Sequence, residues 1–318
     1  MPFVSLWLRF FLFAAAVHLD NCEHECQIAD MLPEGIQIQE MPDLKNPLMI
    51  AGFDGWGNAL KISSGMAAYL IRSFKAQQFA VLDPDSYYRY DELRPVVHIE
   101  DGVMKRFSPP EGAFYAALTA SDEPDLVILQ ADEPNLKWGG FVNEFYNICE
   151  KLKVETVITM GSMYDHVLHT DRIISAIASN TDLSSILQEN GVNSINYQGP
   201  SAIHSIIHSE GSKRNHACMS LWCHCPYYLQ GTTHFGILAH LGKLLGALGG
   251  FHLGIEDLEA SWEKLHVQIE QLIRNNPELQ TVVKQIRKAK VRGTAAEMKG
   301  SLGSGQKIIN IQDFLQPK

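Results

Sequence analysis

Cysteine is scarce in this chain, six among 318 residues. That is too few to staple a fold of this length, so a disulfide scaffold is excluded. Cys149, Cys218, Cys223 and Cys225 also fall in segments that read as buried helix or strand, which points to a reducing, cytoplasmic compartment. Positive charge is in short supply as well: 26 Lys and Arg stand against 36 Asp and Glu, for a formal net charge of -10. Such a field repels polyanions and leaves phosphate contacts undersupplied, so no nucleic acid is expected as a partner. Lys284, Arg287, Lys288, Lys290 and Arg292 are spaced as the solvated face of a late helix. Long apolar runs are missing too. The run from Phe10 to Val17 is too short to cross a bilayer, and no membrane partner is expected.

That run, with Ala14-Ala15-Ala16 inside it, loosely resembles the apolar region and small-residue site of an export signal, but Arg9 is the only basic residue before it. The preferred reading places the start of the folded protein at Met31, directly before Leu-Pro-Glu-Gly; a true export signal is the alternative. What remains is ordinary globular material, 46% hydrophobic and 19% charged, and long enough for one large core with an appended element. The expected division is an N-terminal extension over 1–30, an α/β core over 31–252, a helical appendage over 253–292 and a flexible tail over 293–318.

The order of elements carries the fold class. Leu48 to Ala51 reads as a buried strand, Gly52 to Gly57 as a glycine-rich turn, and Asn58 to about Lys75 as a helix. Phe79 to Asp83 is the next strand, followed by a tyrosine-rich loop. Val96 to Glu100 ends in Asp101-Gly102, a hairpin signal. Leu126 to Gln130 and Val157 to Met160 are strands around a helix from Trp138 to Leu152. Two short helices are expected after Gly161, the first opened by Thr170 or Asp171 and the second near Asp182, then a proline-started helix from Pro200 to His208. Met219 to Cys225 is a last buried strand. Strands alternating with helices imply a mostly parallel sheet with helices on both faces. A glycine-lined helix from Thr233 to Phe251 and two amphipathic helices, Glu256 to Asn275 and Glu278 to Arg292, complete the pattern.

The motifs discriminate among chemistries. Asp54 inside the glycine-rich turn would repel a phosphate, so the turn reads as structural, with Trp56 buried against the sheet. Cys223-His224-Cys225 invites a zinc reading, but strand alternation sends His224 to the face opposite the two cysteines. No metal set and no cofactor are expected. The loop from Met163 to Arg172 gathers Asp165, His166, His169 and Asp171 at a strand end, where α/β proteins place their chemistry. Glu133, at another strand end, is the potential partner, so Glu133, His169 and Asp171 are the candidate catalytic residues of an acid-base site.

Several motifs together resemble the proteasome assembly chaperone family, in its archaeal and bacterial branch: Gly52-Phe53-Asp54-Gly55-Trp56-Gly57-Asn58-Ala59, Tyr88-Arg89-Tyr90 to Arg94-Pro95, Glu133-Pro134-Asn135 with Trp138, Gly161 to Thr170, Tyr197-Gln198-Gly199-Pro200, and Leu221-Trp222 to Tyr228. The resemblance implies a fold similar to purine nucleoside phosphorylases and peptidyl hydrolases, trimeric assembly, and chaperone members that bind proteasome α-subunits. Relatives commonly read Pro-His-Thr-Arg-Pro where this chain has Leu168-His169-Thr170-Asp171-Arg172, and Pro-His-Tyr where it has Pro226-Tyr227-Tyr228. Chaperones that dock into proteasome pockets usually end in a hydrophobic-Tyr-X tail; here Leu315-Gln316-Pro317-Lys318 stands, so that docking mode is not expected.

Two functions follow as expectations. The first is a protein-binding or assembly-chaperone-like homo-oligomer, with Asp54, Trp56, Tyr88, Tyr90, Trp138 and Tyr197 lining its cleft or interface. The second is an enzyme of the hydrolase, phosphorylase or carboxylate-amine ligase class, working in a cleft at the strand ends.

Overall fold

The computed structural model describes residues 35–292. The signal-like run, the Met31 start and the tail over 293–318 lie outside the described residues. Eleven strands are present among the described residues: β1 Ile36–Ile38, β2 Leu48–Asp54, β3 Gln77–Leu82, β4 Val96–Glu100, β5 Val103–Ser108, β6 Gly112–Ala117, β7 Leu126–Asp132, β8 Thr156–Asp165, β9 Ile174–Ala178, β10 Asn193–Ser194 and β11 Ala217–Pro226. Nine form one sheet in the order β1-β3-β6-β7-β2-β8-β11-β9-β10, and β4 with β5 forms a separate two-stranded sheet. Pairing is parallel across the centre, β7-β2-β8-β11, and antiparallel among β1, β3, β6 and β7 and between β11 and β9. The fold is thus α/β around a mixed sheet with a parallel heart.

Both faces of that heart are covered, which its sequence demands. Six of the seven residues of β2 are buried, and successive side chains point to opposite faces. Leu48 and Ile50 face one apolar cluster, shared with α1 (Ile62–Ser73), α6 (Phe235–Gly249), α7 (Glu256–Asn275) and α8 (Pro277–Arg292). Met49, Ala51 and Phe53 face the other, filled by α3 (Trp138–Leu152) and α5 (Ile203–Lys213). The remaining helices are short: α2 (Pro84–Tyr87) and α4 (Thr181–Glu189). Leu258, Leu265, Ile269 and Ile273 of α7 and Leu279, Val283 and Ile286 of α8 are buried in the same cluster as the sheet. Burying each such side chain contributes roughly 1.5–3 kcal/mol, which fastens these helices to the core. No described helix is long and apolar enough to cross a membrane.

Three local expectations are corrected. No helix opens at Thr170 or Asp171: β8 runs on to Asp165, and the next element is strand β9, because Ile173 to Ala178 finds an antiparallel partner in β11. Pro200 lies ahead of its helix, which begins at Ile203 after Ala202. Trp56 is not buried against the sheet but 65% exposed. The glycine-lined α6 finds its close neighbours within the chain. A Cβ at Gly236 would fall 2.1 Å from the Arg172 guanidinium and 2.7 Å from the Trp262 ring.

Candidate functional site

The carboxyl ends of the parallel strands bring acidic side chains together. β2 and β7 end in register on Asp54 and Asp132, and Glu133 follows immediately. Glu133 ties three loops into one: its amide donates to the Asp54 carbonyl at 2.6 Å, Oε2 accepts from the Trp56 amide at 3.0 Å, and Oε1 accepts from the Ile203 amide at the start of α5 at 2.9 Å. The turn can come this close only through Gly55, which has φ +155° and where a Cβ would meet that of Glu133 at 2.7 Å. Asn58 locks the rest of the turn. Its Nδ2 donates to Asp54 Oδ1 at 3.0 Å, and its Oδ1 accepts from the Ser63 amide at 2.8 Å.

Two clefts flank this knot. The first, about 390 Å³, is mixed, with Asp54, Lys61, Glu111 and Asp132 beside Leu82 and Pro110 among its walls. Burial pushes the Asp132 carboxyl above the usual carboxylate range; the hydrogen bond from the Glu111 amide opposes this, and the charges of Asp54 and Glu111 add to it. The second, about 280 Å³, is mostly apolar, built from Trp56, Met163, Tyr164, Ile177, Tyr197 and Trp222 with neighbours. An acid with a raised pKa holds more protons folded than unfolded, so its contribution falls as pH rises through that window. Asp132→Asn is therefore expected to stabilise the protein at pH 7 and to lose that advantage below about pH 4, as read by urea denaturation at both pH values.

The interface candidates are distributed unevenly. Trp56 and Tyr197 are exposed at the apolar cleft, and Asp54 lines the mixed one. Tyr88 is buried, donating its hydroxyl to the Asp132 carbonyl at 2.9 Å. Tyr90 is on the surface, bonded to Asp85 at 2.6 Å, and Trp138 donates to the Pro134 carbonyl. The catalytic candidates bond to separate partners. Glu133 holds the Trp56 and Ile203 amides, whereas His169 Nδ1 lies 2.9 Å from the Tyr228 hydroxyl and Nε2 lies 3.1 Å from Glu270. Asp171 accepts from the Leu168 amide and pairs with Lys290 of α8 at 2.7 Å.

One arrangement escaped the sequence. His224 Nδ1 lies 2.7 Å from Asp165 Oδ2 and its Nε2 lies 2.7 Å from Ser175 Oγ, all three residues being buried. The order matches a hydrolytic relay, but here it crosses three adjacent strands, β8, β11 and β9, and all three side chains are buried. Its evident work is to bind those strand ends together. Only the spacing of His224 on the opposite face from Cys223 and Cys225 hinted at it.

A mixed sheet with a parallel heart and two strand-end clefts joined through Glu133 define the class, an α/β protein with helices on both faces of the sheet. Comparison with known families places it: residues 49–273 match the PAC2 family, and the chain belongs to that family. It is 27% identical to a PAC2 family protein of Streptomyces avermitilis, over 74% of this chain and 99% of that one, with TM-score 0.67. A proteasome-assembly chaperone homologue of Mycobacterium tuberculosis shares the fold at 24% identity, covering 74% and 99%, with TM-score 0.67. So does an archaeal proteasome activator of Pyrococcus furiosus, at 17% identity, covering 74% and 97%, with TM-score 0.57. No match was found among curated proteins.

Proposed function

We propose that the chain is a protein-binding, assembly-chaperone-like protein of the cytoplasm that works as a homo-oligomer. The observation that carries this reading is the β4–β5 hairpin. Among the described residues its strands bond only to each other, and Val96, Val97, Ile99, Val103, Met104 and Phe107 are 46–69% exposed. A lone two-stranded sheet is marginal in water, and apolar side chains on both of its faces call for a cover. A second copy of this chain is that cover, with trimeric assembly the expected state. The apolar strand-end cleft with Trp56 and Tyr197 is the place for a client polypeptide. The proteasome-linked names of the relatives support a client of the assembling-subunit kind.

Hydrogen exchange on the full chain tests this reading. In the assembly, amides of residues 97–107 should exchange at least about 100-fold more slowly than in diluted protein, since exposed hairpin amides open at nearly no cost. Fast exchange at every concentration would refute self-assembly through this hairpin.

A further inference from the structure

On the side of the molecule where the loop after β8 meets α7, three side chains converge that the strand-end clefts do not use. His169 is fully buried, and its Nε2 faces Glu270 Oε1 at 3.1 Å. His266 stands one turn before Glu270, and the i, i+4 spacing puts both on one helix face. The two imidazole rings lie 5.5 Å apart, centre to centre, with planes inclined by 33°. One nitrogen from each histidine and one oxygen from Glu270 all lie within 4.8 Å of one another. Among the described residues, His266 Nδ1 is buried with no hydrogen-bond partner. A buried polar atom left so costs roughly 1–3 kcal/mol, and a ligand bound to it would offset that cost.

We propose that His169, His266 and Glu270 form a site for one divalent transition-metal ion of the zinc class. Two imidazole nitrogens and a carboxylate oxygen are a borderline-soft donor set that suits zinc, and three protein ligands leave a fourth position for water or another ligand. Calcium and magnesium require more oxygen donors than the cluster offers. A supporting shell is already in place. The Tyr228 hydroxyl sits 2.9 Å from His169 Nδ1, so with the imidazole proton on Nδ1, donated to that oxygen, Nε2 presents its lone pair to the metal. This is a change of tautomer and releases no proton. Trp262 packs 5.2 Å from His266 and stacks on His234 at 4.6 Å, walling one side with apolar surface. Arg287 is near enough to act on His169, so the negative charge of Glu270 is what makes the cluster receptive to a cation. A metal here would cross-link the β8 loop to α7.

The test uses the untagged full chain stripped with chelator and titrated with CoCl₂, then ZnCl₂. One equivalent of cobalt should give the intense visible bands of a four-coordinate site, and zinc should abolish them, while MgCl₂ does nothing. His266→Gln and Glu270→Gln lie on the partly exposed face of α7 and should fold normally by circular dichroism, yet each should weaken cobalt binding by tenfold or more. Tyr228→Phe should weaken it less while leaving the stoichiometry intact. No four-coordinate spectrum in the wild-type chain, or an unchanged spectrum and affinity in both α7 variants, would overturn the proposal.

Discussion

A chain carrying Val97→Asp together with Phe107→Asp is expected to run as a monomer while keeping the circular dichroism spectrum of the wild type, because exposed substitutions change protomer stability by only about 0.5 kcal/mol each. Val97 and Phe107 are cross-strand partners, so the two carboxylates would sit side by side on one face of the hairpin. In the isolated protomer both carboxylates remain in water. In an assembly that covers this face they lose hydration and repel each other, at a cost of several kcal/mol per charge. Since each 1.4 kcal/mol is a factor of ten, association should weaken by roughly four orders of magnitude. The check is analytical ultracentrifugation of the two chains side by side. An oligomer of unchanged strength in the double variant would remove the hairpin from the interface.

The largest loss of stability is expected at His224. Replacing it with Ala deletes the link between Asp165 and Ser175 and opens a cavity where β8, β11 and β9 meet. Removing one partner of a buried ionisable pair costs about 3 kcal/mol or more, which in a chain of this size lowers the melting temperature by roughly 10 °C. His224→Gln, which keeps a donor and an acceptor, should recover part of that loss. Scanning calorimetry of both variants measures the difference. If the Ala variant melts like the wild type, the network is not a fastening.

Much of the fold was readable in the residues because its central elements are locally consistent. The helix Trp138–Leu152 has the bounds its apolar spacing set, and Asp101-Gly102 marks the hairpin turn. Where local signals were weak, tertiary pairing decided. Ile173 to Ala178 is a short apolar run with no period that separates helix from strand, and β11 alone makes it a strand. Gly112–Ala117, rich in alanine, has little intrinsic strand preference and is held between β3 and β7. The site was half legible for the same reason. The glycines announce a turn at Gly52 to Gly57, but Gly52, Phe53 and Asp54 extend β2 because they pair with Gln130 to Asp132, so the turn starts only at Gly55; the strand-end positions of Asp132 and Glu133 follow from their strand. Trp56 was misplaced because an aromatic side chain in a tight turn reads as core, whereas Gly55 aims this one at a cleft. Asp165, Ser175 and His224 come from three strands, and His169 meets His266 and Glu270 across some hundred residues. Register and helix docking bring such groups together, and neither leaves a pattern in the sequence.

The most direct measurement is the mass of the full chain in solution by light scattering across a hundredfold range of concentration. Self-assembly through β4 and β5 requires an average mass that approaches three times 35.5 kDa for the trimer at the highest concentration and falls toward a single chain on dilution. A mass of 35.5 kDa at every concentration would contradict it.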